Sequence, residues 1–286
     1  MFKFFQRRKK DPKKALKELL NGFELPSFTQ TVMNALKKLR DPDVSLSEVA
    51  KEIEKDPGMH VMVLKCVNSA AFGLRKKVSN VGHAVNLLGR SRLESLILPL
   101  AVRESIPKIK APCLNMRRFW FTSGFRASLA RRIAEELHPV SKDDSFTAAL
   151  LQDIAVPVLI ASKQDEYCLT LDEWDEVNGK KLPELERKRF GFDHQTIGGF
   201  MAEQWEFPDN LKTSILTHHY DDRSHKVPTA VRIVASIRYL NTMEPLDELE
   251  VLKATCSEDY CLSGRLLDEM AKMALDDAEE MAALME

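Results

Sequence analysis

One carboxylate and three imidazoles are the residues best placed to do chemistry. Asp153 lies in the run ALLQDIAVPVL, residues 149–159, four residues after Ala149, three after Leu150 and seven after Phe146. On a helix it therefore points the same inward way as they do. A buried carboxylate requires a cation, a metal or several hydrogen bonds, because an isolated charge is costly to bury. His218 and His219 fall three and four residues after Ile215, so at least one faces inward, and His194 sits near the start of a helix where Asp193 can orient it. Asp153 with these histidines makes a donor set for a hard-to-borderline divalent ion. Buried Asp and His also commonly satisfy each other through hydrogen bonds, and the spacing leaves both outcomes open. Other chemistries have less support. The chain has no glycine-rich phosphate loop followed by Lys-Ser/Thr, no GxSxG elbow, and no cysteine beside an activating motif.

The elements that carry these residues read as helices from end to end. Phe28, Val32, Leu36 and Leu39 share one face, Ser45 and Glu48 form a capping-box pair, and Ser91 and Glu94 repeat it. Asp56 and Pro57 suit the N-cap and first turn of a helix whose apolar residues, Met59 to Ala71, cover nearly every direction. That pattern predicts the central helix of a soluble helical domain. Asn68 lies on the face of Val61 and Leu64, so its amide needs partners, and a structural clamp is the expected role. Ser79 is expected to open the next helix, up to a stop at Gly89, and Pro99 to kink the one after it.

Lys108–Pro112 reads as a connector. Asn115 is expected to cap a long helix with Phe119, Trp120, Ala127, Ala130 and Ala134 inward, and Ser145 to open a helix through Ala161. Shorter helices are expected near 171–177 and 183–189, followed by helices from Asp193, Pro208, 227–240 and 263–286. No alternating strand run appears, so the fold class is all-α, a helical bundle.

Composition narrows the setting. The 286 residues carry a formal net charge of −1, which gives no global basicity for nucleic acid. The five cysteines are odd in number and lack CxxC spacing, which fits a reducing compartment better than a disulfide framework. No signal peptide or membrane-length apolar run is read, and the expected location is cytoplasmic. Residues 1–21 are rich in Lys and Arg, with Phe2, Phe4 and Phe5 among them. This tail reads as a solvated end, with contact to a membrane surface as the lesser option.

Several spaced motifs agree on one resemblance. Asp56-Pro57, Leu64, Asn68-Ser69, Phe72 and Gly73, with Leu25-Pro26 before them and Ala84, Leu87 and Leu88-Gly89 after, resemble the signature of the HDOD family of bacterial signalling domains. That resemblance spans roughly residues 22–220. It implies an N-terminal helical subdomain and an HD-like C-terminal half, with 1–21 as a basic tail and 221–286 as a helical extension.

The HDOD domains are relatives of the HD-superfamily phosphohydrolases that have usually lost the metal site. Residues 149–159 resemble the segment where active HD enzymes carry a His-Asp pair, and here it reads Gln152-Asp153. The helix 119–130 resembles the one that supplies the first histidine ligand, and the matching position is Thr122. Gly191–His194, Gly198, Trp205, Pro208 and His218-His219 resemble later motifs that non-catalytic members retain. Replacing two imidazoles by a hydroxyl and an amide removes strong nitrogen ligands.

The resemblance thus implies a vestigial cleft of Thr122, Gln152, Asp153, His194, His218 and His219, with no catalytic residues, metal or cofactor. The implied function is a non-catalytic regulatory module that binds a signalling protein, with a nucleotide as the further candidate ligand. The groove between the halves, or the Met-rich acidic final helix, is the expected docking surface. The alternative is a residual metal-dependent phosphohydrolase or phosphodiesterase using Asp153, His194 and His218 or His219.

Overall fold

The computed structural model describes residues 17–18, 20, 22, 28–68, 77–176, 181–219, 228–237 and 246–285. Ser69, Phe72, Gly73, Leu25-Pro26 and the basic block over residues 1–16 lie outside the described residues. Among those described the chain is helical, apart from a lone β-bridge between Ala111 and Leu114. The helices are α1 (Gln30–Arg40), α2 (Leu46–Glu54), α3 (Pro57–Val67), α4 (Val81–Ser105), α5 (Met116–Leu137), α6 (Lys142–Leu151) and α7 (Ala155–Ser162). They continue as α8 (Gln164–Glu176), α9 (Leu182–Phe190), α10 (His194–Gln204), α11 (Asp209–Thr217), α12 (Thr229–Val234), α13 (Leu246–Tyr260) and α14 (Gly264–Met285).

In the first subdomain α1, α2 and α3 pack against α4. The Ser45/Glu48 capping box opens α2 as read from sequence. Ser91 and Glu94 do not form the second one: α4 runs across a break at Gly89 (φ 70°), and Glu94 pairs with Arg40 at 2.8 Å. Asn80, not Ser79, caps α4 through His83 N. Asn68 is a clamp. Its Nδ2 donates to the carbonyls of Leu64 and Val78, both at 2.8 Å, while its Oδ1 accepts from Val78 N at 2.7 Å.

The expectation that α3 is the central helix is not met. Val61 is 49% exposed, and α3 buries only Met59, Val63, Cys66 and Val67. The centre is α5, which buries thirteen residues from Phe119 to Ala134 and is flanked by α14, α6 and α12. The reason is side-chain size. Ser123, Gly124, Ala127, Ser128, Ala130 and Ala134 let neighbouring backbones come close, and helices packed at short range on several sides bury more surface than one with bulky flanks.

The single helix expected over 145–161 is two helices, α6 beginning earlier at Lys142 and α7 beginning at Ala155. Pro157 explains the break, since it lacks the N–H that a continuous helix would direct to the Asp153 carbonyl. Val156 N takes that carbonyl instead, at 2.9 Å. The combined stretch Pro139–Ser162 is apolar and long enough by composition to cross a bilayer, contrary to the sequence reading. It is 89% buried inside the fold, as a core segment would be.

Two further expectations are corrected. Cys113 and Cys168 form a disulfide between the connector before α5 and helix α8, so cysteine usage no longer argues for a reducing compartment. Most of the Met face of α14 is not free for docking: Met270, Met281 and Met285 are buried and α14 lies along α5, while Met273 is 49% exposed. Apolar side chains at helical spacing found the nearest apolar neighbour within the chain.

Candidate functional site: a buried carboxylate–imidazole cluster

The turn that Pro157 forces places Asp153 between α6 and α7 in the interior, where it is 5% exposed. His194 is the first residue of α10, which Asp193 caps by accepting from Thr196 N at 2.8 Å. His218 and His219 follow the last turn of α11. Helices α10 and α11 cross closely at Gly198, where a Cβ would lie 2.8 Å from Ile215 Cγ2. That crossing, one turn beyond His194, brings the two histidine-bearing ends together.

Asp153 Oδ1 lies 3.3 Å from His194 Nε2 and 3.2 Å from His218 Nε2, and the two Nε2 atoms are 3.2 Å apart. His219 completes a group of four whose ligand atoms all fall within 4.8 Å of one another. His194 and His218 are fully buried, and His219 is partly exposed. Thr122 and Gln152 are also buried, at 0% and 1% exposure. Neither is a member of the four-residue group, and both side-chain polar atoms of Gln152 lack a hydrogen-bond partner.

Three residues absent from the sequence reading shape this cluster. Arg126 on α5 donates to Asp153 Oδ2 and to the Ile237 carbonyl. Glu186 on α9 accepts from His194 N at 2.9 Å and contacts His194 Nδ1 at 2.7 Å. Tyr167 on α8 donates its hydroxyl to Glu186. Glu186 therefore orients His194, whereas Asp193, expected in that role, is occupied by Thr196 and Arg187. His218 Nδ1 meets the Ile215 carbonyl at 2.8 Å. Arg126 had one available signal: a guanidinium in the midst of the small, apolar run Phe125–Ala130. Glu186 had none, because LERKR reads like any solvated charge run.

The electrostatics follow from burial and neighbours. Desolvation would raise the Asp153 carboxyl, but Arg126, His194 and His218 hold it well below the usual carboxylate range. Desolvation likewise disfavours the His194 cation, yet the Glu186 and Asp153 carboxylates more than offset this and raise its pKa to about 10. Burial pushes His218 below its ordinary value despite Asp153, and burial with the neighbouring imidazoles pushes His219 lower still. Arg126 and His194 thus lie against the Asp153 and Glu186 side chains, so the buried charges meet opposite partners.

The donor atoms also fit one divalent ion. Bonds of roughly 2.0–2.2 Å at near-tetrahedral angles place ligand atoms about 3.2–3.6 Å apart, as found for Asp153 Oδ1, His194 Nε2 and His218 Nε2. With each Nδ1 held by an acceptor, the two Nε2 atoms are the ones that would ligate, His194 giving up its Nε2 proton to do so, and carboxylate-to-histidine support of this kind is usual behind metal ligands. The set includes neither Thr122 nor Gln152.

Known proteins share this architecture. A crystal structure from Shewanella amazonensis SB2B, provisionally named a phosphohydrolase, is similar with a TM-score of 0.75 and 21% identity over 96% of this chain and 99% of that one. A Geobacter sulfurreducens HDOD domain protein of unknown function aligns with a TM-score of 0.71 and 23% identity, covering 96% and 98%. A Marinobacter aquaeolei VT8 protein, provisionally named for signal transduction, aligns at 0.72 and 17% identity, covering 96% of this chain and 65% of that one. In sequence, the chain is 23% identical over 234 residues to an uncharacterized Treponema pallidum protein, spanning 79% of this chain and 44% of that relative's length. The HDOD domain model matches residues 25–220, well over half of the sequence, and the chain belongs to the HDOD domain family.

Proposed function

We propose that this HDOD protein is a regulatory module without hydrolytic turnover, working by binding a protein partner or small ligand. The observation that supports it is the buried, mutually paired cluster: Asp153, His194, His218 and Glu186 are at most 5% exposed, and Arg126 lies on the carboxylate. A hydrolytic site needs room for a phosphoryl group and a nucleophilic water, whereas these side chains already serve one another. The provisional signal-transduction name of the Marinobacter protein agrees with this reading. The test is turnover of bis(p-nitrophenyl) phosphate by full-length protein with manganese, iron(II) or zinc. Rates equal to those of Asp153→Asn are expected. Metal-dependent hydrolysis abolished by that substitution would overturn the proposal in favour of a phosphohydrolase.

A second reading concerns the same cluster and is favoured by the 3.2–3.3 Å triangle of donor atoms. Asp153, His194 and His218 would hold one divalent ion in a structural or sensing role, and such an ion acts as a Lewis acid where a substrate can reach it. Elemental analysis of untagged protein purified without chelator decides it. About one equivalent, lost in His218→Ala, supports an ion; metal far below one equivalent after soaking leaves the hydrogen-bonded core.

A further inference from the structure

A cavity lined by none of the cluster residues opens where the N-terminal subdomain meets the HD-like half. It offers about 510 Å³ between α4, the 3₁₀ turn Pro139–Ser141, α6, α11 and the start of α12. That volume falls in the range of small-molecule sites. Its base is buried and half apolar, with Leu98, Ala148 and Leu211 beside the hydroxyls of Thr147 and Ser214.

The charges around it select a ligand class. Asp144 and Glu94, the latter paired with Arg40 at 2.8 Å, line the cavity, and among the described lining residues there is no lysine or arginine, so a phosphate there would meet carboxylates. The cavity also faces the first turns of α6 and α11, whose flanking residues Ser141 and Pro208 give no side-chain cap. The positive ends of those helices offset the carboxylates and disfavour a full cation. An uncharged ligand meets neither penalty.

The hydrogen-bonding groups narrow it further. Thr147 and Ser214 donate their protons to the carbonyls of Asp143 (3.1 Å) and Asn210 (2.9 Å), which leaves their oxygens as acceptors. Asp144 Oδ2 accepts from Asn210 Nδ2 at 3.0 Å, and its second oxygen is a further acceptor. An acceptor-rich wall beside an apolar base matches a molecule presenting several O–H donors and a C–H or ring face. We infer that this cavity binds an uncharged polyhydroxylated small molecule, the class of free sugars, cyclitols and nucleosides. Bound there, it would bridge α4 to α6 and α11, an input site for the module. The binding itself does not depend on the absence of turnover.

Saturation-transfer NMR and calorimetry on the full chain test this with adenosine, ribose and myo-inositol, and with AMP and spermidine as charged comparators. At least one neutral probe is expected to bind saturably at one per chain, and at least tenfold more tightly than AMP or spermidine. Among the neutral probes, preference for adenosine over ribose and myo-inositol identifies the apolar base as holding a nucleobase, and the reverse identifies it as holding a sugar or cyclitol ring. Asp144→Asn, at the exposed rim, is expected to weaken binding at least fivefold, and Ser95→Phe, which fills the cavity, to abolish it with the helical circular dichroism intact. The proposal is overturned if no neutral probe binds, if a charged comparator binds as tightly, or if Asp144→Asn leaves the affinity unchanged.

Discussion

Arg126 and Asp153 show what a buried pair costs and what it does. Both side chains are within a few percent of full burial, so each charge depends on the other for solvation. Arg126→Met is expected to destabilise the protein by about 3–5 kcal/mol, because the carboxylate stays buried without its guanidinium, whereas the double variant Arg126→Met/Asp153→Leu recovers most of that loss. Urea denaturation of the three proteins checks this, and a double variant as unstable as the single one refutes it. Asp153, His194 and His218 were legible in sequence because polar residues interrupted apolar faces. Arg126 and Glu186 were not, because a charged residue declares its partner only through contacts far along the chain: 27 residues separate Arg126 from Asp153 and 8 separate Glu186 from His194.

At the scale of elements, helix ends and close crossings decide geometry. Glu52 on α2 holds α1 by accepting from Lys38 Nζ at 2.7 Å and Asn34 Nδ2 at 3.2 Å, and it also takes Lys55 Nζ at 2.8 Å. These hydrogen bonds lower its pKa from 4.5 to about 2. A carboxylate depressed by folding contributes stability above its unfolded pKa and loses it as the pH falls through the folded one. Glu52→Gln is therefore expected to cost about 1–2 kcal/mol at pH 7, with the gap from wild type closing as the pH approaches 2. Denaturation midpoints measured across that range would show it, and a gap independent of pH would contradict it. Gly124 governs the α5–α14 contact: a Cβ there would lie 2.9 Å from Met281 Cβ and 3.3 Å from the Ala278 backbone. Gly124→Ala is expected to lose about 1–3 kcal/mol by overpacking, although alanine is the better helix former. A stabilised Gly124→Ala variant, read by thermal or chemical unfolding, would mean that the two helices are not held this close.

Across the whole molecule, long-range links tie the C-terminal helix and the connector to the core. Arg103 on α4 donates to the Met285 carbonyl at 2.8 Å, and Arg132 pairs with Asp277 at 2.7 Å. Deleting residues 264–286 would bare the small-residue face of α5, and the truncated protein is expected to lose cooperative unfolding rather than merely a docking surface. Near-ultraviolet circular dichroism and dye binding distinguish the two outcomes. The Cys113–Cys168 disulfide closes a span of 55 residues. By the chain-entropy estimate its reduction, or Cys113→Ser, is expected to cost about 2–4 kcal/mol. Identical unfolding with and without reductant would show that the bond does not form in solution.

Local patterns in the sequence determined a great deal: an all-α chain, the caps at Ser45, Asp56, Asn115 and Asp193, the Asn68 clamp, the family, and the inward placement of Asp153 and two histidines. These are properties of spacing within a turn or two, where backbone geometry fixes direction. Even so, Asp153 reached the interior through a turn set by Pro157 rather than along an unbroken helix. Only the tertiary structure decided that α5 and not α3 is central, that Glu186 and not Asp193 holds His194, that Met270, Met281 and Met285 of α14 are core, and that Cys113 meets Cys168. Each of these depends on which distant surface fits which. That choice is set by side-chain volume and charge pairing across the fold, which local periodicity does not encode.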